Sequence, residues 1–280
     1  LPEDGGRISD PNVPELRNVV ILGEDGHSGV IDWLEALVSG GGVPVADVEG
    51  RAAAVRPDDP ALIMYTSGTT GFPKGAMHCH NLVRNVEDRG FRFNITPNDV
   101  ILGYLPLFHA FGFSEAMLMS LATGAKHIVT ETFDPDECIG LIESEGVSII
   151  HGFDAHVKGL CEAQEANPRD LSTLRTGVFG AGPLSARPVL YRGAKTLAPM
   201  HSLSGFGMTE TWIGVSLNGL DDSPEQRLEA NGTVSPGYEF RVADPESAEV
   251  RPLGEEGELQ TRGRYPVSYT HLRAHETDYY

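Results

Sequence analysis

Residues 65–75 read YTSGTTGFPKG, a run in which glycines alternate with hydroxyl side chains and a single lysine. The apolar residues ALIMY at 61–65 lead into this run and predict a short buried strand. Glycines allow backbone amides to approach a phosphate closely, and Lys74 adds a positive charge suited to a polyphosphate. The stretch therefore predicts a buried strand followed by a phosphate-binding loop.

This loop differs from the Walker A loop of P-loop nucleotide hydrolases. The Walker motif places a glycine before its lysine and a serine or threonine after it. Here Pro73 precedes Lys74 and Gly75 follows it. A Rossmann dehydrogenase is also disfavoured, because no GxGxxG run opens a helix with an acidic residue about 20 positions later.

The overall composition narrows the possible partners. The chain has 280 residues, a formal net charge of -19 and a pI of about 4.8. An acidic surface repels polyanions, so nucleic acid is not an expected partner. No apolar run approaches the roughly 20 residues of a membrane span, and the first residues, LPEDGGRISD, do not resemble a signal peptide.

The three cysteines, Cys79, Cys138 and Cys161, have neither the spacing of a zinc site nor that of a redox CxxC pair. Their number is odd and no feature indicates secretion, so they are interpreted as reduced thiols. A cytoplasmic location is the resulting prediction. The sequence does not indicate an oligomeric state.

Short strand-like runs alternate with helical ones, which predicts an α/β fold. The spacing predicts a helix over 30–38 and strands over 18–22, 126–130, 147–150 and 176–179. From about residue 213, short strands alternate with turns at Asn231-Gly232, Pro236-Gly237 and Gly254-Glu255, which predicts a smaller antiparallel subdomain.

The acidic cluster DPDE at 134–137 could be mistaken for a catalytic group of carboxylates. Asp134 is a favourable N-cap, Pro135 suits the first helical position, and Glu137 stands three residues after the cap. Helix capping explains every residue of the cluster, so we interpret it as the start of a helix.

Three further segments follow the loop: LPLFHAFG at 105–112, GAGPL at 180–184 and GFGMTE at 205–210. Each has an ordinary structural interpretation when taken alone. His109 could be a satisfied structural histidine, GAGPL a strand-to-helix turn, and Glu210 a surface carboxylate. The order in which they follow the loop favours a functional role.

The loop closely resembles the TSGTTGxPKG loop of the adenylate-forming superfamily, which includes acyl-CoA synthetases, firefly-type luciferases and peptide-synthetase adenylation domains. The three later segments resemble the family's LPxxH, GGAPL and GYGxTE motifs. The segments at 235–239 and 254–259 resemble its PGxE and GExGEL turns, to which we assign structural roles. The resemblance covers roughly residues 15–264.

The resemblance implies part of the large N-terminal domain of these enzymes, an α/β fold with mixed, largely parallel sheets and flanking helices, plus the start of a smaller β subdomain. We expect an AMP-binding α/β core at 1–212, shortened at its N-terminus, and a β-rich subdomain at 213–266. Residues 267–280 depart from the family pattern, and we expect them to be non-native. The pair His271 and His275 in that tail has a spacing that could bind a metal on a helix. Because we expect the tail to be non-native, we do not assign a metal site to this pair.

The resemblance also implies roles for individual residues. The expected catalytic residues are Lys74, His109, Thr209 and Glu210. His109 would lie beside the acyl pocket, Phe206 would stack on adenine, and Thr209 would contact the α-phosphate. The expected nucleotide-binding residues are Thr66, Ser67, Gly68, Thr69, Thr70, Gly71, Lys74, Gly180, Ala181, Gly182, Pro183, Gly205, Phe206, Gly207, Met208 and Thr209. The expected Mg2+ ligands are Thr66 and Glu210, because this hard cation prefers oxygen ligands.

The implied reaction is ATP-dependent activation of a small carboxylic acid through acyl-AMP, followed by thioester formation with CoA. The segments at 116–129 and 237–247 look most like acyl-CoA synthetases, and a fatty acid is the expected substrate. Two alternatives remain: a non-catalytic nucleotide-binding module, and an enzyme that passes the acyl group to a carrier protein. The family's TGD motif and the C-terminal domain with its essential lysine do not follow, so this chain alone is expected to be inactive.

Overall fold

The computed structural model describes residues 8, 10–22, 29–66, 73–180 and 187–263. The chain divides into two compact units, one ending at Arg56 and the other starting at Pro57. None of the helices in the described ranges has the length and apolar character that a bilayer span requires.

The first unit is small, and its described residues form two short parallel strands and two helices. The predicted strand at 18–22 is confirmed in shorter form. The helix predicted over 30–38 begins later, because the carboxylate of Asp32 caps it by accepting from the Leu34 amide at 2.8 Å. The elements are β1 (Val20–Ile21), β2 (Ile31–Asp32), α1 (Trp33–Gly40) and α2 (Val45–Ala54).

The second unit contains the remaining elements. In chain order they are β3 (Pro60–Thr66), β4 (Lys74–Cys79), α3 (Leu82–Arg92), β5 (Val100–Gly103), α4 (Ala110–Gly112), a π-helix (Phe113–Leu118), α5 (Met119–Thr123), β6 (Lys126–Val129), α6 (Pro135–Glu145), β7 (Ile149–Ile150), α7 (Asp154–Ala166), β8 (Thr176–Val178), α8 (Arg187–Thr196), β9 (His201–Leu203), β10 (Gly205–Phe206), a 3-10 helix (Thr209–Thr211), β11 (Ser216–Leu217), α9 (Pro224–Glu229), β12 (Thr233–Val234), β13 (Tyr238–Ala243) and β14 (Glu258–Gly263).

A five-stranded parallel sheet forms the centre of this unit, in the order β6-β5-β7-β8-β9. Ile101 of β5 lies opposite both His127 of β6 and Ile149 of β7, and Thr176 of β8 lies opposite His201 of β9. The apolar central strands are buried, as expected for a parallel sheet covered by helices. The predicted α/β fold class is confirmed.

The strand predicted at 61–65 is present, but the prediction that it is buried is wrong. It forms β3, which among the described residues pairs only with β4, in an antiparallel hairpin. Ile63 is 54% exposed and Tyr65 is 74% exposed. Within the described residues only one face of this hairpin is covered, so apolar side chains on the other face remain in contact with solvent.

Helix α6 confirms the capping interpretation of residues 134–137. The carboxylate of Asp134 accepts from the Glu137 amide at 2.9 Å, and Pro135 occupies the first turn. Gly146 ends the helix in a left-handed conformation, with φ of 65°. These carboxylates are therefore structural.

The C-terminal part of the unit is antiparallel. Strands β10, β11 and β12 form one ladder, and β13 pairs with β14. The predicted turns at Pro236-Gly237 and Gly254-Glu255 are confirmed, and Gly237 and Gly254 have positive φ. Gly232 also has positive φ, but Asn231 and Gly232 form no turn. The pairing of β10 with β11 joins residues on both sides of position 212, and a domain division there stays a prediction.

A hydrogen-bonded ion pair closes the amino-terminal edge of the parallel sheet. Asp99 accepts from the Arg175 guanidinium at 2.8 Å and from the Ser148 hydroxyl at 2.8 Å. Arg175 also donates to the carbonyls of Phe93 and Asn94. Burial raises the pKa of Asp99. The hydrogen bonds that the Asp99 carboxylate accepts outweigh the effect of burial and lower the pKa to about 2.

Candidate active site

Described residues of three sequence motifs lie at the same edge of the parallel sheet. Strand β5 leads into residues 105–112, β8 into Gly180 (the first residue of the GAGPL segment) and β9 into residues 205–210. Because the strands are parallel, their carboxyl ends meet at one edge, where open α/β sheets bind their ligands. Segments separated by about 100 positions in the sequence therefore share one region.

The predicted phosphate loop closes the β3–β4 hairpin. Thr66 and Lys74 are directly paired across the hairpin, and the Thr66 hydroxyl donates to the Lys74 carbonyl at 3.5 Å. Strand β4 lies against the 3-10 helix Thr209–Thr211. The hairpin therefore places Lys74 on a strand that contacts the element carrying Thr209 and Glu210. The predicted residues Ser67, Gly68, Thr69, Thr70 and Gly71 lie outside the described residues.

His109 is the N-cap of α4, the short helix that ends the LPLFHAFG segment after β5. Its Nδ1 accepts from the Phe111 amide at 3.1 Å. Desolvation lowers the pKa of His109, so the imidazole is neutral at pH 7. A neutral ring that accepts at Nδ1 carries its proton on Nε2, which leaves that atom as a donor.

Aromatic side chains join the loops that follow β5, β7 and β8. The ring of Phe153, 41% exposed, lies 5.3 Å from that of Phe111. A Cβ placed on Gly180 would lie 3.1 Å from the Phe153 ring, so the glycine allows this close approach. Gly180 also donates its amide to the Gly152 carbonyl at 3.0 Å. The other residues predicted in this segment, Ala181, Gly182 and Pro183, lie outside the described residues.

His151 is a buried neutral histidine behind these loops. Its Nδ1 accepts from the Val178 amide at 3.1 Å. Burial, and to a lesser degree the charge of Arg89, lowers its pKa to about 3. The ring lies between Phe93 and Phe111, with centroid distances of 6.3 and 6.1 Å. His151 therefore helps to hold the sheet edge together as an uncharged group.

The GFGMTE segment forms a tight turn. Gly205 and Phe206 pair with β11, and the Phe206 ring lies 6.2 Å from Phe240 in an edge-to-face arrangement. A Cβ on Gly207 would lie 1.1 Å from the Ile213 carbonyl oxygen, so no larger residue fits there. Met208 then precedes the 3-10 helix as its N-cap.

Thr209 and Glu210 lie in that 3-10 helix and are both partly exposed. The structure records no ion pair to the Glu210 carboxylate in the described parts of the chain. The same described residues contain no cluster of three or more His, Cys, Asp or Glu side chains that could hold a metal. The assignment of Thr66 and Glu210 as Mg2+ ligands stays a prediction, and it would require a site in which the ion has few protein ligands and is bound mainly by nucleotide phosphates and water.

Trp212 is a central residue that sequence reasoning missed. It is fully buried, edge-on to His78 of β4 at 4.9 Å and to Phe113 at 6.2 Å. It forms a buried cluster with Leu82 and Ala110, the neighbour of His109. Trp212 therefore packs the phosphate-loop hairpin, the His109 helix and the GFGMTE turn against each other. The signal available in the sequence was its position shortly after the GFGMTE motif, but a single aromatic residue does not indicate which segments it contacts.

A parallel sheet flanked by helices, with residues 105–112, Gly180 and residues 205–210 at its carboxyl edge, has the architecture of the large domain of adenylate-forming enzymes. The AMP-binding enzyme family model matches residues 11–268. The chain belongs to this family.

Individual relatives agree with this assignment. The chain is 33% identical over 211 residues to the medium-chain fatty-acid–CoA ligase of Escherichia coli K12, covering 74% of this chain and 36% of that enzyme. It is 30% identical over 254 residues to 4-coumarate–CoA ligase 4 of Arabidopsis thaliana, covering 88% and 44%. The crystal structure of ATP-bound MatB from Rhodopseudomonas palustris superposes with a TM-score of 0.65 at 30% identity, covering 74% of this chain and 40% of that one. The chain thus spans less than half the length of the relatives it matches.

Proposed function

We propose that this chain is part of an acyl-CoA ligase that activates a carboxylic acid with ATP and transfers the acyl group to CoA. The main support is the convergence of residues 105–112, Gly180 and residues 205–210 at one sheet edge, together with the contact between the Lys74 strand and the helix Thr209–Thr211. Family membership gives the reaction class, and the distribution of the site over distant segments argues against an isolated motif match.

In the first half-reaction, the substrate carboxylate attacks the α-phosphorus of ATP, and acyl-AMP forms as pyrophosphate leaves. Lys74 and the loop amides stabilise negative charge on the phosphates. Thr209 binds the α-phosphate. Glu210 and Thr66 would hold Mg2+, and the ion would supply positive charge to the phosphates. Neutral His109 lies beside the acyl pocket and donates from Nε2. In the second half-reaction, the CoA thiol attacks the acyl carbonyl and AMP leaves.

The proposed location of the protein is the cytoplasm. The proposed substrate is a fatty acid. Phe153 is partly exposed and packs on buried Phe111, two residues after His109, so it gives this part of the carboxyl edge an apolar, aromatic surface. Such a surface suits the hydrocarbon part of an acid better than a polar or charged group. The E. coli relative acts on medium-chain fatty acids by name and the Arabidopsis relative on 4-coumarate, so both acid classes belong in the test.

The experiment is a pyrophosphate-release assay on the full-length protein that contains this chain, with ATP, Mg2+, CoA and a panel of fatty and aromatic acids. We expect acid-dependent pyrophosphate release and CoA thioester formation. Lys74→Ala should lower kcat about 100-fold or more, since it removes a preorganised charge from the transferring phosphate. Lys126→Ala is the matched control, because Lys126 pairs with Glu145 on the surface at 2.6 Å.

Absence of acid-dependent pyrophosphate release across the whole panel would overturn the proposal. Calorimetry of the 280-residue chain with ATP and a non-hydrolysable acyl-AMP analogue would then test the alternative of a non-catalytic nucleotide-binding module. Release of pyrophosphate without CoA thioester formation would favour an enzyme that uses a carrier protein as acceptor.

A further inference from the structure

An ion pair between Arg89 and Glu115 is buried in the second unit and has no part in the chemistry described above. Arg89 lies on α3 and Glu115 in the π-helix, with 2.7 Å between Nε and Oε1, and both side chains are 1% exposed. Burying two charges is expensive, and well-packed apolar side chains often stabilise a fold equally well. The stability of the fold therefore does not by itself explain the pair.

One side of the pair is connected to His109. Arg89 also donates to the hydroxyl of Ser114, the neighbour of Glu115 in the π-helix. This π-helix continues directly from α4, whose N-cap is His109, so Glu115 is six positions along the same helical segment. A π-turn within a helix is rare and frequently found at functional sites. A shift of Arg89 would therefore move the segment that orients His109.

The other side is connected to the turn that follows Thr209 and Glu210. Asn85 accepts from Arg89 and donates its side-chain amide to the Gly214 carbonyl at 3.2 Å. A Cβ on Gly214 would lie 2.6 Å from Cδ and Nη1 of Arg89, so the guanidinium packs directly on this backbone.

The backbone before Gly214 is strained and depends on its surroundings. Trp212 and Ile213 both have left-handed conformations, with φ of 57° and 65°. Non-glycine residues persist in this region only when neighbouring contacts hold them, and such strain is concentrated at functional sites. Besides Arg89 and Asn85, Tyr238 holds the turn by donating its hydroxyl to the Thr211 carbonyl at 2.5 Å.

We propose that Arg89 and Glu115 are positioning residues that set the His109 segment and the Thr209–Gly214 turn relative to each other. The pair joins the side of the site that binds the acid to the side that binds the α-phosphate, and so aligns the carboxylate for attack. Asn85 links Arg89 to the backbone of the Thr209–Gly214 turn, and Ser114 links Arg89 to the helical segment that follows His109. The catalytic importance of this alignment rests on the proposed function, whereas the physical coupling of the two segments does not.

The test is the double variant Arg89→Met/Glu115→Leu in the full-length protein. It removes both charges together, so the thermal midpoint should stay within about 5 °C of wild type. Because a misplacement of about 1 Å can cost on the order of 100-fold in rate, kcat for pyrophosphate release should fall at least about 10-fold. KM for ATP and for the acid should change less than about threefold, since each segment keeps its own binding contacts.

The matched control is Arg192→Met/Glu165→Leu, which removes an exposed Arg–Glu pair of 3.0 Å between α8 and α7. It should leave kcat and both KM values unchanged. A double variant of the buried pair with wild-type kcat would overturn the proposal. If that variant does not fold, Arg89→Lys decides, because lysine keeps the charge but lacks the forked donors that reach Ser114 and Asn85. A folded Arg89→Lys variant with wild-type kcat would also overturn it.

Hydrogen exchange separates this proposal from the proposed function. In the double variant, amide exchange should rise in both 105–112 and 206–214, whether or not the protein is an acyl-CoA ligase. A rise in only one segment, or in neither, would show that the pair does not couple them. A wild-type protein that releases no pyrophosphate while both segments respond would overturn the proposed function and leave the coupling intact.

Discussion

The two edges of the parallel sheet satisfy their polar groups in different ways. At the amino edge, the charged Asp99 carboxylate accepts hydrogen bonds from Arg175 and Ser148. At the carboxyl edge, His151 is held neutral by burial, and its Nε2 has no hydrogen-bond partner in the described part of the chain. The loops leaving this edge also contain the left-handed residues Trp212 and Ile213.

This difference indicates that the amino edge of the sheet contributes mainly to stability and that the carboxyl edge is the region suited to chemistry. Polar groups at the amino edge have favourable partners, and its charges are stabilised by folding. The carboxyl edge contains close backbone contacts, strained residues and a histidine kept from protonation. These features lower stability locally, and their concentration beside the motif loops is typical of functional sites.

The largest effect is expected for Gly207→Ala in the GFGMTE turn. Its Cβ would lie 1.1 Å from the Ile213 carbonyl oxygen, which is backbone and cannot rotate away. We expect the free energy of unfolding in urea to fall by about 3 kcal/mol or more. The control is Gly140→Ala in α6, where nothing lies within 4 Å of the added Cβ and alanine should stabilise the helix by about 1 kcal/mol. A loss below about 1 kcal/mol for Gly207→Ala would mean that the turn relaxes easily.

An intermediate effect is expected from titration at the carboxyl edge. The pKa of His151 is lowered to about 3 from an ordinary 6.5, so between these values the unfolded chain binds a proton that the folded chain does not. Stability should therefore fall as pH drops below 6.5, by about 2 kcal/mol at pH 5. His151→Gln removes this titration, and its unfolding free energy should depend less on pH over that range. Equal slopes for the variant and the wild type would contradict the assignment.

The smallest effect is expected at the amino edge and only in stronger acid. The pKa of Asp99 is lowered to about 2 from 3.8, so its contribution is present above about pH 4 and is lost as pH falls toward 2. We expect a loss of up to about 2 kcal/mol, reduced by the partial exposure of Arg175. Unfolding of Asp99→Asn should lack this step, while the dissociation constant for ATP stays at the wild-type value. A changed ATP affinity would show that the two edges are not independent.

Local patterns predicted much of the fold. The α6 cap at Asp134, the turns at Gly237 and Gly254, and the alternation of strands and helices all depend on residues close together in sequence. The burial of β3 was predicted wrongly from the same kind of pattern. An apolar run shows that a strand is favourable, but its burial depends on which other segments cover it.

For the candidate site, the sequence by itself determined the motifs, their order and the family. These follow from the residue types, because glycines, hydroxyl groups and a lysine at fixed spacing suit phosphate whatever lies around them. Only the tertiary structure decided which distant residues hold the motifs together. Trp212 packs three of them in one cluster, and the pair Arg89–Glu115 lies between two of them. The physical reason is that burial, ion pairing and close backbone contact arise between segments far apart in the chain, and no local pattern records them.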